Sequence, residues 1–517
     1  MVPETVRQFI GGKYVYSTLR KSYGVIDPAT GKEYAQVEVG LAADINQAVL
    51  AAGNALETGP WPGLTAPERA RILRAIADAV DDRADDIAAA EALGPGLPVA
   101  QSRAQAARAG EVFRLAADSI TARAGTGEPG EPGPPGYPVP SGYPMPGPAG
   151  IAGVITSWRT PFLAQARAVA PALAAGCTIV LKPDELAPLP AALLAEITIA
   201  AGLPDGVLNI VHGSLHRKAP GAQARDALIA HPGVARLSFA GDAATGRQIM
   251  LDAVTHRKRL SAELAGNSPG LIFADADLDQ AIDSVLFGAF ALNGQRRTAT
   301  STILVQRPVY DAVVSRLGHR AERIRVGDPS DPATELGPLP DSGHVDALAG
   351  CVRLGVREGA RLAAGGRRPA GLAEGNYLAA TVLADVEPSM RIFTESICGP
   401  TLRVTPFDTD EEAVSLANAV TDPTAAYVWT SDPERPRGLA PAIETAGVWV
   451  NAHNHQDRLT ADGGRRPDGP DGPGGPGARG GPGRPGAGPE DIDVDFYTRY
   501  RTVLITTDDP PVLRFGA

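Results

Sequence analysis

Between residues 151 and 267 the chain repeats one unit, a short apolar run followed by a longer stretch of helical periodicity. The runs fall at 151–155, 178–181, 208–211, 235–239 and 259–264, with helical stretches such as 162–173 and 190–201 between them. Antiparallel neighbours need only a tight turn, whereas parallel strands need a crossover of about a dozen residues. The repeat therefore predicts a parallel, doubly wound sheet with helices on both faces. Such sheets bind ligands outside the carboxyl ends of their strands. Residues 270–450 repeat the pattern, with runs at 271–273, 303–305, 402–404, 426–429 and 448–450 and helices over 278–291 and 410–419. That predicts a second α/β unit.

The rest of the chain surrounds these two units. At 517 residues two or three domains are expected. Phe9 to Lys13 and Ile26 to Gly31 read as two short strands, the second running into an Asp-Pro-x-x-Gly turn. Long amphipathic helices are expected over 67–93, where Pro67 suits a helix start, and over 99–120. Residues 125–148 are dense in proline, which donates no ladder hydrogen bond, so strands there are expected to be weakened or lost. Residues 461–489 hold no apolar side chain larger than Ala apart from Pro, and a tract of this kind is expected to stay disordered. A strand is expected over 502–506.

Composition removes several function classes. A net charge of −11 argues against generic nucleic-acid binding, which needs a basic footprint. The three cysteines, Cys177, Cys351 and Cys398, form no CxxC pair, which fits a reducing cytoplasm. The N-terminus has no apolar leader core and no run of about 18 apolar residues occurs. The expectation is a cytoplasmic chain with neither membrane nor nucleic-acid partner. His453-Asn454-His455 is a His-x-His without evident further ligands, so no metal site is expected.

One segment carries more specific information. Residues 287–305 read FGAFALNGQRRTATSTILV, a helical run that ends at Asn293-Gly294-Gln295 and enters a strand near Thr302. This stretch resembles the nucleophile segment of the aldehyde dehydrogenase superfamily. There a Gly-Gln pair and one further residue precede the catalytic Cys, and Arg297 stands at that position here. Val180-Leu181-Lys182-Pro183-Asp184-Glu185 is similar to the family's Lys-Pro-x-Glu, which implies that Lys182 and Glu185 hold an adenosine ribose. Read alone, they are equally a solvated strand end. Ser238 to Arg247 is similar to the strand-to-helix turn under a pyrophosphate, with Gly241 in the turn and Asp242 where Ser is usual. A carboxylate there caps the helix itself, filling a ready anion site. Ser214 likewise falls within a segment that is Gly-x-Gly in the family. Ala262-Glu263-Leu264 aligns Glu263 with the general base, and our reading pairs Glu263 with Arg297. Glu395 aligns with the carboxylate that holds the nicotinamide ribose, and Cys398 stands where Phe is usual. Trp158-Arg159-Thr160-Pro161 puts Arg159 in place of the oxyanion-hole Asn, beside the cofactor-side Trp158.

The resemblance implies an α/β, aldehyde dehydrogenase-like fold: two doubly wound α/β domains plus a small oligomerisation element. The expected boundaries are 1–124 with 149–265 for the cofactor-type domain and 125–148 for a Pro/Gly-rich segment in place of oligomerisation strands. The catalytic-type domain takes 266–455, the Gly/Pro tract 456–490 and the C-terminal oligomerisation strand 491–517. It implies NAD or NADP as cofactor, with Asp242 opposing its phosphates. The family reaction needs a thiolate nucleophile and an oxyanion hole, and both positions carry arginine here. The leading expectation is a catalytically silent structural or regulatory subunit, beside an active aldehyde dehydrogenase or in a homo-oligomer. One alternative is a pocket that binds an anionic substrate through Arg159 and Arg297, since guanidinium forks suit carboxylates and phosphates. The other is an active NAD(P)-dependent enzyme that uses Cys398, a residue that reads otherwise as small buried core.

Overall fold

The computed structural model describes residues 3–124, 141–213, 222–264, 266–395, 399–421, 423–445, 447–453 and 493–505. Two seven-stranded sheets organise them. In the first, the order is Arg259–Leu264, Val234–Gly241, Ile151–Thr156, Thr178–Lys182, Leu208–Ile210, Gln8–Ile10, Lys13–Val15. Its first five strands are parallel, and the Gln8–Ile10/Lys13–Val15 hairpin closes one edge antiparallel. Ile151–Thr156 and Thr178–Lys182 are buried at every position, the signature of central strands with helices on both faces. One face packs on the Ala66–Asp82, Val99–Ala124 and Pro161–Ala174 helices, with Leu73, Ile76, Phe113, Phe162 and Val169 in its core. The other packs on Ala42–Glu57, Ala222–Ala230 and Ala243–Thr255.

The second sheet runs Arg361–Ala364, Thr381–Ala384, Thr401–Phe407, Thr300–Gln306, Ser268–Ile272, Ala426–Trp429, Val448–Val450, parallel except for its first strand. The expected second α/β unit is therefore present, and all five apolar runs named for it lie on or against its strands.

Two local expectations change. The helix expected over 67–93 is two helices, Ala66–Asp82 and Ala84–Leu93. Arg83 between them leaves helical geometry (φ −105°, ψ 15°), and its guanidinium reaches Asp86 and, on the Pro188–Ala200 helix, Glu196 at 3.1 Å. The apolar period continues across the break, so the sequence does not signal it. Of the proline-dense segment, 125–140 lies outside the described residues, but Ser141–Pro148 is a strand, paired antiparallel with Thr498–Ile505. Pro144, Pro146 and Pro148 alternate, so all three positions that lack an N–H face one edge. The strand has a described partner only on its other edge, which is the placement a proline strand tolerates. The 461–489 tract lies outside the described residues.

The segment before the Thr498–Ile505 strand is stitched to the first unit. Tyr497 O accepts from Ala149 N at 2.9 Å and from the Cys177 thiol at 3.3 Å, Arg236 Nε donates to Phe496 O at 2.9 Å, and Val494 and Tyr497 join the first unit's core. Among the described residues no helix is long and apolar enough to cross a membrane.

Candidate active site

The site begins with a strained turn. Asp277 caps the Leu278–Phe290 helix, accepting from Asp279 N at 3.0 Å and Gln280 N at 3.2 Å. After Phe290 the chain passes through Leu292 (φ 53°), Asn293 (φ 60°) and Gly294 (φ 66°), three consecutive left-handed residues. Asn and Gly tolerate that region; a left-handed Leu costs about 1 kcal/mol or more. The surroundings hold it there. Asn293 is fully buried, donates from Nδ2 to Gly96 O and Pro338 O, both at 2.9 Å, and accepts from Gly337 N at 2.7 Å. A Cβ on Gly294 would lie 2.4 Å from Gly399 O, so only glycine fits. The turn thereby fixes Arg296, Arg297 and Thr298 at the entrance to the Thr300–Gln306 strand.

These residues meet the ends of the first sheet around a cavity of about 270 Å³. Its walls carry Arg108, Arg159, Arg167, Arg296 and Arg297 against a single carboxylate, Glu263. Gly241 closes one side, where a Cβ would strike the Phe239 ring at 2.4 Å. Four expected site residues, Arg159, Gly241, Glu263 and Arg297, are therefore brought together.

Their pairing differs from expectation. Among the described residues the ion pair of Glu263 is with Arg167, at 3.3 Å, and not with Arg297. Arg167 projects from the Pro161–Ala174 helix, which packs against this sheet face and brings a cation to the strand end. Arg297 instead offers its carbonyl to Thr424 Oγ1 at 2.9 Å. Arg159 follows Trp158 and precedes Thr160, itself left-handed at φ 38°. The Arg159 guanidinium lies 5.1 Å over the Trp158 ring, which meets His344 edge-on at 5.0 Å.

Asp242 caps the Ala243–Thr255 helix, accepting from Thr245 N at 2.8 Å. Burial raises its pKa, but the hydrogen bonds from Thr245 and the nearby Arg159 charge outweigh that and leave it below the usual carboxylate value. Its carboxylate thus occupies the anion position that the helix N-terminus offers.

Arg296 stacks 5.1 Å over Phe287, and its Nη1 is buried without a hydrogen-bond partner. Beside it His453 stacks on Tyr427 at 4.2 Å, and its Nε2 lies 2.9 Å from Thr300 Oγ1. Burial, with the Arg296 charge adding, pushes the His453 pKa down to about 3, so the imidazole is neutral. The described residues include no group of three or more His, Cys, Asp or Glu able to hold a metal ion, and His455 lies outside them.

The remaining expected residues lie away from the cavity walls. Lys182 is fully buried at the end of its strand, with Nζ donating to Pro183 O at 2.8 Å. Burial lowers its pKa to about 8, against the opposing charges of Glu185 and Asp184. His212, close enough to feel that charge, keeps a buried Nδ1 without a partner. Glu395 pairs with Arg391 at 3.0 Å and accepts from the Cys351 thiol at 3.6 Å. Its carbonyl is held by the fully buried Arg403 (2.8 Å) and by Asn267 Nδ2 (3.2 Å). Cys398 falls outside the described residues. Arg108, Arg167 and Arg296 were not singled out by sequence. The first two sit on helices, where an arginine reads as a solvated face, and the third was eclipsed by its neighbour Arg297.

The comparisons agree with this architecture. The aldehyde dehydrogenase family model matches residues 14–476. The 5-carboxymethyl-2-hydroxymuconate semialdehyde dehydrogenase of Escherichia coli is 40% identical over 468 residues, 89% of this chain and 96% of that protein. The 2-hydroxymuconic semialdehyde dehydrogenase of Pseudomonas putida is 36% identical over 472 residues, 90% of this chain and 95% of that protein. Among solved structures, HpcC from Thermus thermophilus superposes with a TM-score of 0.86 at 37% identity, covering 99% of this chain and 95% of that one. Betaine aldehyde dehydrogenase from Staphylococcus aureus, in complex with NAD+, gives 0.88 at 30% identity, covering 99% and 96%. With its two doubly wound sheets and matches that run through nearly the whole chain, this protein belongs to the aldehyde dehydrogenase family.

Proposed function

We propose that this chain is an aldehyde oxidoreductase-type protein whose cavity holds a small carboxylate-bearing carbonyl compound, gripped at its anionic end by Arg159 and Arg297. The observation that carries the reading is the wall itself, five arginines against one glutamate. Guanidinium forks suit carboxylates, so a wall of this composition fits an anionic ligand. The relative from Escherichia coli, whose named substrate bears a carboxymethyl group, supports a ligand of that class.

Arg297 and Arg159 stand, in this reading, where the motif resemblance puts the thiol and the oxyanion amide. Of the two described cysteines, Cys177 is buried, with burial pushing its thiol up to about 11, and Cys351 lies off the cavity. No described thiol is placed for covalent attack. Glu263, steadied by Arg167, is the group that can take a proton from water.

A nicotinamide dinucleotide, when bound, supplies a hydride acceptor. The buried Lys182 ammonium, with donors to spare, and the orphaned His212 nitrogen fit a nucleoside at these strand ends, with Glu185 alongside. Asp242 leaves its phosphates a helix turn already occupied by a carboxylate. That second fact favours one further reading, a silent subunit that supports an active aldehyde dehydrogenase or a second copy of itself. Isolation from the native host with no other chain attached, and as a monomer, counts against it.

The test of the main reading is calorimetry on the full chain with NAD+, NADP+ and short monocarboxylates. Carboxylate binding in the micromolar to millimolar range, lost in R159M/R297M, is expected. A cavity that takes no carboxylate refutes the assignment.

A further inference from the structure

The anion-pocket reading accounts for Arg159 and Arg297 and leaves Arg296 unexplained. This side chain lines the same cavity. Phe287 covers its guanidinium from one face at 5.1 Å, a contact that is satisfying to the π-cloud but uses none of the five N–H donors. Its Nη1 is shut off from solvent and has no hydrogen-bond partner. Nearby groups do not neutralise it. His453 beside it is neutral, and Tyr427 spends its hydroxyl on Thr298 O at 3.0 Å. Arg108, which also lines the cavity, is a second cation whose charge acts against that of Arg296. A purely structural arginine in this protein looks different. Arg403, fully buried in the second sheet, uses its donors on Ser301 O, Glu395 O and Asn267 Oδ1 among others. Arg296 is half-buried, and its enclosed Nη1 makes none of the bonds that satisfy Arg403.

We propose that Arg296, with Arg108, forms a second anion subsite at the Phe287 side of the cavity, so that the pocket takes a short dicarboxylate and not a single carboxylate. This rests on the anion-pocket reading above. One carboxylate meets Arg159 and Arg297, and the other accepts from the Arg296 guanidinium at the cavity wall. The carbon chain between them runs past Leu163, Ala164 and the methyl of Thr298. A volume of about 270 Å³ lies near the small end of ligand pockets, the size for a diacid of a few carbons and not for a fused-ring or nucleotide ligand.

The experiment is calorimetry on the full chain with succinate, glutarate and adipate, each against the monoacid of equal length: butanoate, pentanoate and hexanoate. At least one diacid is expected to bind roughly 10-fold or more tightly than its monoacid, the size of a charge-assisted hydrogen bond to a buried partner. Arg296→Met is expected to erase that preference. Arg296→Lys, which keeps charge and packing but loses the fork, is expected to reduce it severalfold and serves if the Met variant does not fold. Equal binding of diacids and monoacids overturns the second subsite and leaves the anion pocket standing, as does a preference that neither variant alters. Binding of no acid at all removes the pocket reading and the subsite with it.

Discussion

Glu91 gives the sharpest quantitative test of the scaffold behind the cavity. It lies on the Ala84–Leu93 helix, is fully buried, and accepts through Oε1 from Phe162 N at 3.1 Å. That bond ties down the first turn of the Pro161–Ala174 helix, which carries Arg167 to Glu263. Oε2 has no partner. Burial raises the Glu91 pKa from 4.5 to about 7, against the pull of the Phe162 N–H and the neighbouring Ser102. The folded state therefore holds this proton more tightly than the unfolded chain does. The resulting stability is complete below pH 4.5, is lost as pH rises toward 7, and is absent above. Those two pKa values differ by enough to be worth about 3 kcal/mol. Glu91→Gln removes the titration and keeps an oxygen for Phe162 N, at a cost of about 1 kcal/mol or more for an amide N–H₂ without a partner. The variant is expected to be about as stable as the parent at pH 5, where the titration has already removed about 0.8 kcal/mol, and more stable at pH 8 by about 2 kcal/mol, the same titration less the amide cost. Urea unfolding followed by circular dichroism at pH 5, 6, 7 and 8 measures the difference. Parallel pH profiles for the two proteins would mean that Glu91 ionises freely, and the burial argument would fail.

Three other outcomes are expected. Arg297→Cys combined with Arg159→Asn restores a thiol and an oxyanion donor; NAD+-dependent oxidation of a semialdehyde should appear in the double variant and fall about 100-fold or more when Arg159 is kept, and no gain in either would show that the surrounding turn has ceased to support the chemistry. Lys182→Met removes a buried ammonium whose pKa is lowered to about 8; a depressed cation destabilises the fold at neutral pH and recovers as pH rises from 8 toward 10.5, so the variant should unfold at higher urea at pH 7, by up to about 3 kcal/mol, while losing nucleotide affinity. Lower stability in that variant would place a strong partner on the ammonium. Tyr427→Phe deletes the hydrogen bond to Thr298 O and should cost about 1–3 kcal/mol, read by thermal unfolding.

Much of the fold was legible because parallel sheets write themselves as separated apolar runs, and both seven-stranded sheets follow those runs. What escaped was set by contacts distant in sequence. Arg83 breaks a helix whose period runs on, since Glu196 lies on another helix. Leu292 gives no hint of its left-handed backbone, although Asn293-Gly294 does, and the turn is held by Gly96 and Pro338 from elsewhere. For the site, motif positions placed Arg159, Gly241, Glu263 and Arg297 on one cavity. Their partners were not legible, because Arg108 and Arg167 on helices look the same whether they face solvent or a pocket. Proline spacing at 144, 146 and 148 was a readable strand signal that proline density concealed.

The stitch between the first unit and the far end of the chain bears on how the protein is made. Pro148 pairs with Thr498, and Tyr497 seals the edge where Ala149 and Cys177 lie. At roughly 5–20 residues per second on the ribosome, the sealing segment emerges on the order of a minute after the strands it covers. For that interval the nascent first unit carries an uncovered apolar edge and an unpaired proline strand, and the second unit has time to collapse before the first is complete. The order of synthesis thus runs opposite to the order of closure: residues 493–505, made after the whole second unit, are the ones that finish the first.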